Sequence, residues 1–393
     1  MMNQDMTDPV FLTPEYAPVP ERVRLAMSRD TADAGPEEQQ ALQDRVQTGL
    51  GWLLGTKQPV SVLAASLSGA MSAVLVHLFD PGEKVLVVEA GQEGLRWSDT
   101  AQARGLEVVA LPIPWGQAVR PREVENALSR WPDIAGVLVQ AVDVSTAVMH
   151  PVRDLSALCR RKKRLLIVDG TAAVGISPCS MDVLGLDCLL SASGPFTLLP
   201  AGMAFAAVGD SALSRKSRAG APEGASSEWC RTMLSMSGRE LSVPCVILLQ
   251  GLESALDLLR SEGLEKIHQR HRALAAMVRA GTEAMGLQLL ASSDNAWGVS
   301  AVCLPPGIDQ NLLLQTAGND YQVILAPGSG RLRDRILRMG HMGCTSWKDV
   351  LAGLLALHGS YRKCGGVCGA RDYLERAWLA YELVMSREQM TKF

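Results

Sequence analysis

Gly136-Val-Leu-Val-Gln140, then Val152-Arg-Asp-Leu-Ser-Ala-Leu-Cys-Arg-Arg161, then Arg164-Leu-Leu-Ile-Val168 with Asp169 at its end, decide the fold. The two short runs are apolar without alternation, the pattern of strands buried on both faces of a parallel sheet. The stretch between them places Val152, Leu155, Leu158 and Cys159 at helical spacing, so the three segments form a strand–helix–strand unit. The same rhythm extends outward from about Thr56 to Asp210. Val60-Ala65, Lys84-Glu89, Leu106-Leu111 and Cys188-Ala192 read as further strands, and Gly69-Phe79 and Arg122-Arg130 as helices, with Pro81-Gly82 and Trp131-Pro132 marking ends. The expected architecture is a doubly wound α/β domain with a mostly parallel sheet.

Beyond it, a polar interval from Ser214 to Arg239 breaks the rhythm, and a long helical segment, Val246 to Ala284, is interrupted only near Gly263. Strands at Gly298-Leu304, Gln322-Leu325 and Arg335-Met339, with helices at Gln310-Thr316 and Ser346-His358, make a smaller α+β unit. Gly328-Ser-Gly330 is a turn without the following helix that a dinucleotide site needs. The expected organisation is an N-terminal arm (1–20), a large α/β domain (21–245), an interdomain helix with a small α+β domain (246–360), and a Gly/Cys hinge with a C-terminal amphipathic helix (361–393). In that last helix Leu374, Ala377, Trp378, Tyr381, Val384 and Met385 form one stripe, which must dock on its own chain or on a protein partner.

The 393 residues, 47% hydrophobic and 20% charged with a net charge of −3, fit a globular chain of two packed domains. They argue against general binding to nucleic acid or an anionic membrane. No secretory h-region or membrane-length apolar run occurs, so a cytoplasmic, soluble protein is expected. Nine cysteines, most of them single within apolar runs, agree with a reducing compartment. The exception is Cys364-Gly-Gly-Val-Cys368, which could hold a metal, form a local disulfide or be a flexible hinge.

In an open α/β sheet, ligands bind beyond the carboxyl ends of the strands. Ser66-Leu67-Ser68-Gly69 follows the first strand and leads into a helix, an N-capped start that can hold a phosphate. Asp169 ends another strand near the same crevice. Arg338, alone among apolar neighbours in Ile336-Leu-Arg-Met-Gly-His-Met-Gly343, needs an anionic partner if it faces inward, and its fork matches a carboxylate.

These stretches, with Phe11-Leu-Thr-Pro-Glu-Tyr-Ala-Pro-Val-Pro20, Glu262-Gly-Leu-Glu265 and His271-Arg-Ala-Leu-Ala275, resemble the class V aminotransferases, in particular the alanine/serine–glyoxylate (pyruvate) branch, in register from about Phe11 to His358. The resemblance implies a pyridoxal-phosphate transferase of fold type I with a large and a small domain, working as a homodimer. Carried over by position, Ser68 and Gly69 match the phosphate-holding helix start, Asp169 the carboxylate that pairs with the pyridine nitrogen, and Arg338 the clamp on the substrate carboxylate.

The departures cluster at one pocket. The family's Schiff-base lysine falls on Pro195 in Ser191-Ala-Ser-Gly-Pro195, and Lys162, Lys163 and Lys216 offer no obvious replacement. The aromatic residue stacked on the ring falls on Glu93, the second glycine of the phosphate turn on Leu67, and the early glycine of the N-terminal pattern on Glu15. The proline-threonine stretch appears as Leu241-Ser-Val-Pro244. These changes point to a family member that keeps the fold but serves as a binding, regulatory or partner subunit with an anion-binding crevice. The alternative is an enzyme that holds pyridoxal or pyridoxamine phosphate non-covalently and acts on a small amino or keto acid, with His341 or His150 carrying the proton.

Overall fold

The computed structural model describes residues 8–29, 35–213 and 246–390. The Ser214–Arg239 interval and Leu241-Ser-Val-Pro244 lie outside the described residues. In chain order the strands are β1 Val10–Leu12, β2 Val60–Leu63, β3 Lys84–Glu89, β4 Glu107–Pro112, β5 Ile134–Gln140, β6 Val142–Asp143, β7 Val148–Met149, β8 Leu165–Asp169, β9 Cys188–Ala192, β10 Ala204–Val208, β11 Val299–Cys303, β12 Val323–Pro327 and β13 Ile336–Gly340. The chain forms two compact units: Val19–His268, and the residues up to Pro18 together with those from Gln269 onward.

The larger unit is built on a seven-stranded sheet of order β2-β10-β9-β8-β5-β3-β4. Its strands are parallel except β10, which runs antiparallel to both neighbours. Strand β10, Ala-Phe-Ala-Ala-Val, escapes the sequence reading because its alanines carry little β preference. Here burial on every residue overrides that preference. The helix Leu67–Leu78 buries Ala70, Met71, Val74, Leu75 and Leu78 against the sheet, in one core with Leu138, Ile167 and Leu190. Trp97, on the helix Gln92–Ala103, completes that core. The helices Val246–Glu262 and Leu264–Ala284 divide at Gly263, whose φ of +82° is cheap only for glycine.

The smaller unit has a four-stranded sheet of order β1-β12-β13-β11. Residues 10–12 of the N-terminal arm are therefore a strand: β1 pairs in parallel with β12, Val10 to Val323, Phe11 to Ile324 and Leu12 to Leu325. Leu12 is fully buried in the core with Val302, Leu337, Met339 and Leu354.

The C-terminal helix Tyr373–Met390 packs onto this core through Tyr373, Leu374, Ala377, Trp378 and Tyr381. Trp378 lies edge-on to Trp347 at 5.0 Å and stacks on Tyr381 at 5.4 Å. The segment before it contains hydrogen-bonded turns. Gly365 has φ +83°, a Cβ on Gly366 would meet the Tyr361 ring at 2.4 Å, and the Gly369 and Ala370 N–H groups bond the carbonyls of Met285 and Ala284. Cys364 and Cys368 pack against the core and are not disulfide-bonded. No group of three or more His, Cys, Asp or Glu that could hold a metal ion occurs among the described residues. Nor, among those residues, is any helix long and apolar enough to cross a membrane.

Candidate active site

In the larger unit, the carboxyl ends of β3, β5, β8 and β9 bring Glu93, Gln140, Asp143, Asp169 and Pro195 to one edge of the sheet. Asp169 ends β8 opposite Gln140 of β5, and residues paired across parallel strands share a face. Asp169 is 4% exposed, and one of its oxygens accepts the Thr171 N–H at 2.9 Å. Burial raises its carboxyl from the ordinary value; the neighbouring Thr171 and the Arg96 charge pull it down, and Asp143 pushes it up. A cation or an N–H donor beside Asp169 would relieve that strain. Gln140 is fully buried, and neither its amide N nor its O has a partner among the described residues, a cost that an occupant of this face would remove.

Asp143 was not singled out from the sequence, although its place just after β5 carries the same signal as Asp169. It accepts the backbone N–H groups of Glu93, Ser145 and Thr146 and the Ser145 hydroxyl. Ser145 in turn accepts the Gln92 N–H at 2.9 Å. Burial raises the Asp143 carboxyl and these donors oppose the rise. Asp143 thus ties the β3 loop to the β5 loop.

Glu93, where a ring-stacking aromatic was the reference, forms an ion pair with Arg96 at 2.6 Å. Its charge is taken up by a side chain one helical turn on, not left bare toward the crevice.

The helix start is as expected. Ser66 caps Leu67–Leu78 by accepting the Gly69 N–H at 3.3 Å, and Ser68 is half-buried in the first turn. A Cβ on Gly69 would press Ala65 at 3.0 Å. Leu67 packs back on the core.

Pro195 opens a buried 3₁₀ turn, Pro195–Thr197, directly after β9. The turn is closed by the Gly194 N–H donating to Thr197 Oγ1 and by the Ser193 N–H donating to the Met203 carbonyl. Lys57, Lys84, Lys162 and Lys163 all stand at the amino edge: Lys84 opens β3, and the others shortly precede β2 and β8. Lys266 is exposed on a helix.

In the smaller unit Arg338 faces inward at 6% exposure, as an anionic partner would require. Its Nε donates to the Pro327 carbonyl at 2.9 Å, and its Nη2 meets Glu15 Oε1 at 2.6 Å. His341 is fully buried, with Nε2 3.0 Å from the Ser300 hydroxyl. Burial, with the nearby Arg279 charge, pushes its pKa down to about 3, which favours the neutral ring. His150 is 3% exposed and accepts the Val119 N–H on Nδ1. The His341 ring thus contacts strand β11, and the His150 ring the segment before the helix Pro121–Arg130.

The aminotransferase class-V family model matches residues 60–324. The chain belongs to the class-V aminotransferase family. It is 30% identical over 345 residues to a serine–glyoxylate aminotransferase of Hyphomicrobium methylovorum, covering 85% of each chain. It is 29% identical over 362 residues to a protein of Synechococcus described as the small subunit of a soluble hydrogenase, covering 91% of this chain and 94% of that one. The pyridoxamine–pyruvate aminotransferase structure from Mesorhizobium loti superposes with a TM-score of 0.88 over 99% of this chain and 100% of that one, at 24% identity. The fold of this class-V chain is thus the fold-type I transferase fold expected from the sequence, a mixed α/β fold around a mostly parallel sheet.

Proposed function

We propose that this class-V protein does not carry out pyridoxal-phosphate transamination and serves instead as a binding, regulatory or partner subunit with a crevice for a small anion. The observation that carries the reading is Pro195, buried in a closed turn at the position that the resemblance assigns to the Schiff-base lysine. A proline side chain has no amine, so no covalent tether to the cofactor can form there. The lysines at the amino edge lie roughly 15 Å of strand away, beyond a lysine's reach. Among the described residues, then, none near Pro195 fits the family's covalently held cofactor. The name of the Synechococcus relative, a subunit of an assembly, is in keeping with a partner role. Homodimerisation, a partner at the C-terminal helix and a cytoplasmic location belong to the same proposal.

A second reading is favoured by Asp169 and Gln140: a buried carboxylate and an unpartnered amide on one face would suit a pyridine ring held without a covalent bond. Visible absorbance before and after adding pyridoxal phosphate, followed by borohydride, separates the two. No retained chromophore is expected. Stable uptake without a trapped imine favours the second reading, and a trapped imine in the wild type overturns both. Pro195→Lys alone should show no aminotransfer from serine or alanine to glyoxylate; robust activity in that variant would show that the rest of the pocket is intact and refute the first reading.

A further inference from the structure

From the N-terminal segment of the smaller unit we infer that Glu15 is a resident carboxylate that occupies the Arg338 fork and excludes free monocarboxylates from it. The inference rests on the reading of Arg338 as a carboxylate clamp and specifies what that clamp accepts.

Three features deliver Glu15 to Arg338. Strand β1 fixes residues 10–12 in the sheet beside β12, whose Ala326 is paired with Arg338. Immediately afterwards the chain crosses Gly340, two residues beyond Arg338, so closely that a Cβ there would fall 2.4 Å from the Thr13 carbonyl carbon and 2.6 Å from the Pro14 nitrogen. Thr13 then closes a turn around Glu15: its hydroxyl donates to the Tyr16 carbonyl at 2.8 Å and accepts the Tyr16 N–H at 3.1 Å. Glu15 is left with one oxygen on Arg338 Nη2 at 2.6 Å and a side chain 43% exposed, while the arginine side chain is 7% exposed. The glutamate is therefore the outer, displaceable member of the pair.

The exclusion is quantitative. A tethered group acts at an effective concentration on the order of millimolar even on a flexible linker, and higher when it is held by a sheet and a turn. A free carboxylate of millimolar intrinsic affinity must displace it, and its apparent affinity falls by the fraction of time the fork is open. Replacing the side chain removes the competitor without touching the arginine.

The test uses the full chain and sodium glyoxylate, with matched sodium chloride as the control, read by calorimetric titration and by the ligand-dependent rise in unfolding temperature. Glu15→Gly and the shape-preserving Glu15→Gln should both bind glyoxylate at least about tenfold more tightly than the wild type, and adding Arg338→Lys to either should abolish the gain. Equal glyoxylate affinity in the wild type and both variants would overturn the inference, as would a gain that survives Arg338→Lys. If Glu15→Gly fails to fold, Glu15→Gln decides alone. An imine trapped in the wild type would refute the proposed function but leave this comparison of affinities intact, so the two failures are distinguishable.

Discussion

Gly340→Ala tests how rigidly the N-terminal segment is seated. The glycine's φ is not in the left-handed region, so alanine suits the local backbone and only space opposes it. The added Cβ would lie 2.4 Å from the Thr13 carbonyl carbon, 2.5 Å from its oxygen and 2.6 Å from the Pro14 nitrogen. Carbon contacts are optimal at about 3.5–4.0 Å, so the segment must lift by about 1 Å. All three atoms are backbone and cannot rotate away. Retreat is resisted by the β1–β12 pairing, the Val10 N–H donating to the Gln322 carbonyl at 2.9 Å, and Leu12 at 0% exposure. Overpacking of this kind costs about 1–3 kcal/mol, and backbone obstruction puts the expectation near 2. The cost falls on local opening of β1, so the assay is hydrogen exchange of residues 10–16 followed by mass spectrometry. A loss of about 2 kcal/mol speeds exchange about 30-fold. The lifted segment should also withdraw Glu15 from Arg338, so the variant should gain glyoxylate affinity as Glu15→Gln does, whereas Glu15→Gln itself should leave β1 exchange nearly unchanged. A change of less than about threefold in β1 exchange for Gly340→Ala would refute the reasoning, because the segment would then be free to move.

Two further outcomes follow from burial. The folded state holds the Asp169 proton to higher pH than the unfolded chain, so stability falls as pH rises from the unfolded carboxyl value through the raised folded one, and the penalty persists above it. Asp169→Asn should therefore unfold a few degrees higher than the wild type at pH 7 and match it below about pH 4; a less stable Asn variant at pH 7 would show the carboxylate to be fully compensated. Burial pushes the Cys159 and Cys179 thiols up to about 12 and raises Cys188 as well, while Cys344 is exposed. Peptide mapping after native iodoacetamide treatment should find Cys344 modified and the other three protected until denaturation, and rapid native labelling of any of the three would contradict their enclosure.

The sequence by itself determined the doubly wound sheet, because strands buried on both faces must be apolar throughout and their connecting helices must repeat at 3.6 residues. It also marked Asp169, the Ser66 cap and Arg338, since a charge or cap at the end of a buried element leaves a local mark, while the inward direction of Arg338 came from the fold. What it could not reveal depends on neighbours distant in the chain. Strand β10 is a strand because it fills the slot between β2 and β9, against the preference of its alanines. Residues 10–12 form an edge strand because β12 offers them a partner. Glu93 is neutralised by Arg96 only once the helix Gln92–Ala103 forms, an element the sequence reading lacks. His341, adjacent to the arginine motif in sequence, is held neutral by burial and by Arg279 on another element. Glu15 and Arg338 lie near opposite ends of the chain, and only the pairing of β1, β12 and β13 closes one on the other. Residue types and spacing set local conformation, while the partner of each buried charge is chosen by packing.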